Sequence, residues 1–371
     1  MGKAFRPPAG RARGAVWAAV LTVAGLNTGL ALWVRAHPEV RDPLYFPRED
    51  LLAGRYTRPT ADRVTVVALG SSRTANAFHP PTVEAEVTAA TGRPCLAFNM
   101  AMPGSGPLTE LLHLRRLLAR GIRPDVVLVE ITPAMCAVPE TFFLRPDRVS
   151  RAELQTLAAV GFADDQYRAE WWEATVNSWF GLRFQLLGAV RPKWTPPGVP
   201  RVAHEFPDPS GWNPWREVVT PAVHEARLAL ARHEHFATLQ HLDAIGEVPR
   251  RALLEIFATC RREGITAVAV LPPEGNDFRS WYGPGAQRVA GELLNLARSA
   301  TGGWAVDARE WLPDDAFVDG HHVLEWAAPG YTARLARDLL VPALVTDPDR
   351  ATPALAREAA GRSPVRGDGR P

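Results

Sequence analysis

The stretch "VVALGSSRTANAF", residues 66–78, decides the fold of this 371-residue chain. An apolar run with the length and β-branched content of a buried strand ends abruptly at Gly70. A glycine, two serines and a helix-compatible segment are typical of a strand-to-helix turn. The stretch therefore predicts the first strand–helix unit of an α/β domain. It leaves open whether Ser71 or Ser72 presents a nucleophilic hydroxyl.

Four further apolar runs repeat this pattern, and helical stretches separate most of them. With residues 64–69, the predicted strands are residues 95–100, 124–131, 265–271 and 304–308. Short β-rich runs that alternate with helices indicate a parallel sheet with helices on both faces. We therefore predict an α/β fold with about five parallel strands in three α/β/α layers.

The N-terminal segment predicts a membrane anchor. Residues 14–34 carry no charge over about the 20 residues that a spanning helix needs. Basic residues before this run predict a cytoplasmic start and a downstream domain across the membrane, periplasmic or extracellular; they are Lys3, Arg6, Arg11 and Arg13. A cleaved signal peptide is the alternative, although the sequence after the run offers a poor cleavage site.

Composition shifts predict the domain organisation. Residues 1–35 form the basic segment and anchor, and residues 36–62, rich in Pro, Arg and Asp, form a linker. The α/β domain then covers residues 63–345, with a Trp- and Pro-rich insertion at about 140–223 that has no clean strand. We interpret the insertion as partly helical and as a candidate lid. Residues 346–371 are predicted to be a disordered tail.

Charge and cysteine usage exclude several classes of protein. The formal net charge is +2, with no basic runs interleaved with aromatics, so no nucleic-acid partner is expected. Cys95, Cys136 and Cys260 form no CxxC pattern, which favours buried free thiols over a zinc knuckle, with one disulfide as the alternative. His233 and His235 lack a third ligand nearby and are interpreted as a solvated helix face. We predict no metal and no cofactor.

Two further polar segments follow predicted strands. "FNMAMPGSGP" comes after the second strand and offers the Asn99 side chain and the Gly104 N–H to a developing oxyanion. "FVDGHHVLEWAAPGY" comes after the fifth strand, and there Asp319 precedes His322 by three residues. That spacing lets the carboxylate bond one imidazole nitrogen and leaves the other free. Turn hydrogen bonds and an N-cap aspartate are the structural alternatives.

The order of these segments resembles the SGNH/GDSL hydrolase superfamily. "GSSR" is similar to its nucleophile block and aligns Ser72 with the nucleophile, and "NMAMPG" is similar to the block whose oxyanion glycine matches Gly104. "DGHH" matches its Asp-x-x-His through Asp319 and His322. The resemblance covers roughly residues 62–135 and 264–342, and it implies a flavodoxin-like fold with a Ser-His-Asp triad.

One block departs from the family pattern. "VEITPAM" stands where the family has Gly-x-Asn-Asp, so Thr132 lies nearest the position of the oxyanion Asn. A hydrogen-bond donor from the side chain of Thr132 or Asn99 would replace the oxyanion Asn of the family pattern. Arg73, directly after Ser72, would pair with a carboxylate or hold substrate. Arg279, in the segment after the fourth strand, would bind a sugar or an anionic group.

The resemblance is to the envelope-associated branch, which includes alginate-type O-acetyltransferases and teichoic acid D-alanylation proteins. It implies a membrane-anchored serine esterase or O-acyltransferase acting on acyl groups of a cell-surface polysaccharide or similar polymer. Ser72 would be the nucleophile, His322 the base and Asp319 its orienter. The expected partners are an acylated carbohydrate or other ester substrate, the membrane, and a membrane-bound acyl donor protein. A catalytically inactive envelope binding or assembly protein is the alternative.

Overall fold

The computed structural model describes residues 9–56, 63–137, 144–194, 208–216 and 218–345. Contacts divide the chain into two compact units. The first comprises Met1–Pro47, Arg145–Gln155 and Ala163–Glu205, and the second comprises Arg48–Leu144, Thr156–Phe162 and Phe206–Pro371. The predicted tail, part of the predicted linker and parts of the predicted insertion lie outside the described residues; so do Lys3 and Arg6.

The second unit contains the predicted sheet. All its strands are parallel and lie in the order β2-β1-β3-β4-β5. This confirms the α/β fold with five parallel strands. The strands are β1 (Val64–Leu69), β2 (Cys95–Asn99), β3 (Val126–Glu130), β4 (Thr266–Leu271) and β5 (Ala305–Asp307).

Helices account for most of the remaining described chain. In chain order they are α1 (Ala9–Ala36), α2 (Pro38–Arg41), α3 (Phe46–Arg55), α4 (Ser72–Ala77), α5 (Pro80–Thr91), α6 (Pro107–Ala119), α7 (Arg151–Ala159), α8 (Asp165–Val176), α9 (Ser178–Gly181), α10 (Arg183–Val190), α11 (Pro221–His241), α12 (Glu247–Arg262), α13 (Asn276–Arg279), α14 (Pro284–Thr301), α15 (Ala328–Leu335) and α16 (Val341–Val345). A single π-helical turn joins α15 to α16.

Helices cover both faces of the sheet. On one face, α5 packs with α15 and α16 over an apolar cluster that includes Val66, Val83 and Leu335. Against the other face, α12 packs with α6 and α14. Burial on both sides explains why the strands are continuous apolar runs rather than alternating ones. The carboxyl ends of the strands therefore remain the place where polar side chains can gather.

The predicted insertion is partly helical, since α7 to α10 lie within it. It is nevertheless divided between the two units. Residues Ala163–Glu205 group with the N-terminal helix, whereas residues from Phe206 onward group with the sheet. Of the insertion's tryptophans, Trp212 and Trp215 therefore belong to the unit that carries the predicted site.

The N-terminal apolar helix is present as predicted. Residues Ala12–Ala36 are long and apolar enough to cross a membrane, with a mean hydropathy of 1.7 over an 18-residue window. Most of their apolar side chains are exposed, including Trp17 and Leu21. By length and composition this helix could be a membrane anchor or a signal sequence.

A tight turn at residues 208–212 packs against the end of β2. The Asn99 N–H donates to the Ser210 carbonyl at 2.9 Å. Gly211 has φ +84°, and a Cβ there would lie 2.2 Å from the carbonyl oxygen of Asn99. Only glycine fits so close to this backbone.

We expect Gly211→Ala to destabilise the chain much more than Gly264→Ala. Gly264 also has a positive φ, +68°, but a Cβ there would meet nothing within 4 Å. Both variants carry the left-handed penalty of about 1 kcal/mol, and Gly211→Ala adds about 3 kcal/mol of overpacking. Urea unfolding of the full chain in mild detergent measures both. Equal losses would contradict the close approach.

Candidate active site

A buried carboxylate organises the turn after β1. Glu130 ends β3, the strand next to β1, and is only 4% exposed. Its oxygens accept from the Ser71 N–H (3.0 Å) and O–H (2.6 Å), and from the Thr74 N–H (3.2 Å) and O–H (2.6 Å). The Thr132 hydroxyl donates at 2.7 Å. These bonds replace the water that a buried carboxylate would otherwise need.

The Glu130 carboxylate also restricts which residues fit the turn after β1. A Cβ at Gly70 would lie 2.7 Å from Glu130 Oε2, so the position requires glycine. Ser71 caps α4 by accepting the Arg73 N–H at 3.2 Å, while its hydroxyl donates to Glu130. The Ser71 hydroxyl hydrogen is therefore already used. Ser72, the first residue of α4, is the serine whose hydroxyl is directed elsewhere.

Ser72, His322 and Asp319 form one hydrogen-bonded chain. Ser72 Oγ lies 2.7 Å from His322 Nε2, and His322 Nδ1 lies 2.6 Å from Asp319 Oδ2. Because an ionised carboxylate only accepts, Nδ1 carries the hydrogen and Nε2 is free to accept from the serine. The structure thus brings together the three residues that the sequence singled out as nucleophile, base and orienter.

A tight loop before α15 positions the carboxylate and the imidazole. Asp319 Oδ1 accepts the N–H groups of His321 (3.1 Å) and His322 (2.9 Å). Gly320 provides the positive φ of +84° that the loop needs. Its carbonyl accepts the Gly275 N–H at 2.7 Å, which connects the loop to the segment after β4.

Burial makes the electrostatics of this loop strong. Burial raises the pKa of Asp319. The nearby imidazoles of His322 and His321 and the hydrogen bonds from His322 lower it by more, so the pKa of Asp319 lies below its usual range. Burial and the neighbouring His322 lower the pKa of His321. His235 packs beside His321, and its burial lowers its pKa to about 4. Asp319 is therefore the ionised group opposite His322, with neutral His321 and His235 behind it.

Trp215 covers one face of the His322 ring. The two rings are stacked, with centroids 5.5 Å apart and planes 25° apart. The Trp215 carbonyl accepts the Glu325 N–H, which ties this part of the insertion to the strand-end loops. Trp215 also borders a groove of about 910 Å³, whose lining includes Trp326, Asp315 and Glu325. Among the described residues, the lining includes Trp215 but not Ser72, Asp319 or His322, so the Trp215 indole is what connects this groove to the imidazole.

Backbone N–H groups are the candidate oxyanion donors. Ser72 begins α4, where helix N–H groups are free of intrahelical partners, and within the described ranges its own N–H has no hydrogen-bond partner. The loop with Gly104 lies beside the end of β1, because the Met102 N–H donates to the Gly70 carbonyl at 2.9 Å. Gly104 has φ +67° and is half-buried.

The predicted oxyanion role of Asn99 must be corrected. Asn99 is fully buried, and its amide NH₂ donates to the carbonyls of Thr74, Ala75 and Phe78. Its side-chain oxygen accepts the Ala101 N–H. Both amide hydrogens are used, so Asn99 holds α4 against β2 and has no hydrogen left for an oxyanion.

The predicted role of Thr132 is corrected for the same reason. Its single hydroxyl hydrogen donates to Glu130, and the residue is buried. A hydroxyl has only one hydrogen to donate, so it does not donate to an oxyanion while this bond is kept. Thr132 acts instead as one of the hydroxyl donors to the Glu130 carboxylate.

The two arginines proposed as substrate ligands are bonded to the segment after β4. Arg73 is 4% exposed and pairs with Glu274 at 3.0 Å, as the structural alternative predicted. It also donates to the Pro273 carbonyl at 3.0 Å. Arg279 donates to the carbonyls of Glu274 and Arg309 and to the Asn276 side chain. Arg279 is half-buried and has five N–H donors, so its predicted role as a ligand stays a prediction.

Sequence reasoning missed Glu130, Glu274 and His235. Glu130 ends an apolar run, and that single acidic residue at a strand end was the available signal. Glu274 accepts from Arg73 and from the Tyr282 hydroxyl at 2.7 Å, a pairing between distant segments that local sequence does not indicate. His235 was assigned to a solvated face, but its ring packs against Phe278.

One cluster has the ligand types for a metal ion. Asp319, His321 and His322 each offer a ligand atom, and these atoms lie within 4.8 Å of one another. Carboxylate and imidazole donors suit zinc. Both nitrogens of His322 are, however, at hydrogen-bond distance from Ser72 and Asp319, which is the pattern of an acid–base site.

No protein-family model matches the chain, and no curated protein matches it at a significant level. Function must therefore be argued from the geometry of the site.

We expect Glu130→Gln to destabilise the turn more than Thr132→Val. Glutamine offers one acceptor oxygen, so several donors lose a partner, with a loss of about 3 kcal/mol. Thr132→Val removes one donor from the carboxylate and should cost about 1 kcal/mol. Urea midpoints of the full chain measure the difference. Equal effects would contradict the central position of the carboxylate.

Proposed function

We propose that the chain is a serine esterase or O-acyltransferase of the SGNH type. The single observation that carries the proposal is the hydrogen-bonded order Ser72–His322–Asp319, with distances of 2.7 and 2.6 Å. This order is the one in which a histidine can take a serine proton while a buried carboxylate stabilises the imidazolium.

In the first half of the reaction, Ser72 Oγ attacks the carbonyl carbon of an ester and its proton passes to His322 Nε2. The oxyanion forms beside the N–H of Ser72, with the N–H of Gly104 as the second proposed donor. The C–O bond to the alcohol then breaks. The leaving alcohol takes the proton from His322, which leaves an acyl group on Ser72.

In the second half, an acceptor hydroxyl gives its proton to His322 and attacks the acyl carbon, and Ser72 regains a proton. The acceptor is water in an esterase and a polymer hydroxyl in a transferase. The groove beside Trp215 combines indole rings with carboxylates at Asp315 and Glu325, groups that suit sugar rings and their hydroxyls. We therefore favour an acylated carbohydrate or similar polymer as substrate.

The apolar N-terminal helix supports an envelope location for this chemistry. If α1 stays uncleaved, the basic residues before its apolar run keep the N-terminus in the cytoplasm and the site outside it. A transferase in that location would receive its acyl group from a membrane-bound donor protein. A secreted esterase is the outcome if the segment is cleaved.

A binding or assembly protein without activity is the second candidate. Its support is specific: the side chains of Asn99 and Thr132 are committed to other bonds. The proposed oxyanion site therefore relies on backbone donors. Loss of one donor can cost about 10² to 10³ in rate.

Hydrolysis of p-nitrophenyl acetate by the full chain tests the proposal. We expect Ser72→Ala and His322→Gln to lower kcat/KM by about 10³-fold or more. Ser105→Ala is the matched control, because Ser105 Oγ is buried and has no hydrogen-bond partner among the described residues, so its loss should leave the rate unchanged. Equal rates in Ser72→Ala and the wild type would contradict the proposal.

Two additions to the same assay separate the remaining alternatives. An oligosaccharide acceptor that becomes acetylated identifies a transferase, whereas release of acetate alone identifies an esterase. A chelator should leave the rate unchanged under the serine mechanism. Loss of activity on chelation, restored by zinc, would instead favour a metal site at Asp319, His321 and His322.

A further inference from the structure

The first unit exposes an unusual number of large apolar side chains outside α1. Within residues 165–194, six of them are at least half exposed. They are Trp172, Val176, Trp179, Phe180, Val190 and Trp194, with exposures of 50–75%. Such a concentration is unfavourable in water and marks an interaction surface. We call residues 165–194 the Trp segment.

Hydrogen bonds attach the Trp segment to the apolar helix α1. The Asn27 NH₂ donates to the Val176 carbonyl at 2.6 Å, and the Asn27 side-chain oxygen accepts the Ser178 N–H at 2.9 Å. These bonds satisfy an amide that lies within the apolar run of α1. They hold the junction of α8 and α9 at the level of Asn27.

The position of Asn27 along α1 corresponds to a depth near the boundary between lipid headgroups and acyl chains. Arg35 follows Asn27 by eight residues, about 12 Å along a helix. If Arg35 lies at the membrane surface, the α8–α9 junction is near the depth of about 5–10 Å at which interfacial helices lie. Trp and Phe side chains are favoured in this layer.

The charges of the C-terminal part of the Trp segment, residues 176–194, favour anionic lipid. From Val176 to Trp194 the sequence has no Asp or Glu, whereas it has Arg183, Arg191 and Lys193. Arg183 lies over the Phe180 ring at 3.8 Å, and Arg191 lies over the Trp194 ring at 5.3 Å. Basic groups beside exposed aromatics are typical of helices that lie on a membrane.

We propose that the Trp segment docks into the outer leaflet of the membrane that α1 spans, with its aromatic side chains among acyl chains and its basic groups at anionic phosphates. The segment is then a second membrane contact of the chain rather than a lid. The proposal rests on α1 as an uncleaved span and is independent of catalysis. Membrane contact explains the exposed indoles and the purely basic charge of residues 176–194, whereas the preceding helix α8 carries Asp165, Glu170 and Glu173.

Site-specific fluorescence tests this docking. The full chain, in a Cys95→Ser background, carries Val176→Cys or the matched Val218→Cys, each labelled with an environment-sensitive dye. Val176 and Val218 are exposed at 66% and 82% and belong to the first and second units, respectively. The protein is reconstituted in phosphatidylcholine–phosphatidylglycerol vesicles, with or without spin-labelled lipid. Intact mass reports whether α1 is retained.

We expect spin-labelled lipid to quench most of the fluorescence at position 176 and little of it at position 218. Aqueous iodide should quench in the opposite order. A dye at position 176 that iodide reaches and lipid does not would overturn the proposal. Protection from both quenchers would also overturn it, since a second copy or a protein partner would then cover the segment. Urea unfolding of the labelled variants reports folding separately and does not depend on any activity.

Discussion

The buried carboxylate of Glu130 is the interaction on which the site depends. It stands at the end of β3 and accepts hydrogen bonds from the main chain and hydroxyls at the start of α4. A negative group at a helix N-terminus is favoured by the helix dipole and by free N–H groups. Its position requires glycine at residue 70 and uses the Ser71 hydroxyl, so that Ser72 is the serine left to face His322.

The sheet then brings distant segments to one edge. Parallel strands end on the same side, so the turn after β1, the loop after β2 and the Asp319 loop meet although they are far apart in sequence. The ion pair of Arg73 with Glu274 joins α4 to the segment after β4. The buried polar groups of Glu130, Asn99 and Asp319 hold these loops in place. A rigid arrangement of this kind is what acid–base chemistry requires.

The strands, the apolar N-terminal helix and the meeting of Ser72, Asp319 and His322 could be predicted, because strand periodicity and strand-end placement are local properties of a sequence. The hydrogen-bond partners of the buried side chains could not be predicted from the sequence. Asn99 and Thr132 have donor groups suited to an oxyanion, but three-dimensional packing directs those groups to carbonyls of α4 and to Glu130. The insertion looked continuous in composition, yet residues Arg145–Gln155 and Ala163–Glu205 group with the first unit and the rest with the second. Glu130 was read only as the end of a strand.

The most direct test of an activated serine is its covalent trapping. The full chain is treated with a fluorophosphonate, and the modified peptide is identified by mass spectrometry. The account predicts one adduct, on Ser72, that forms at neutral pH and is absent from His322→Gln. No adduct on a folded wild-type chain, or an adduct on Ser71 instead, would contradict it.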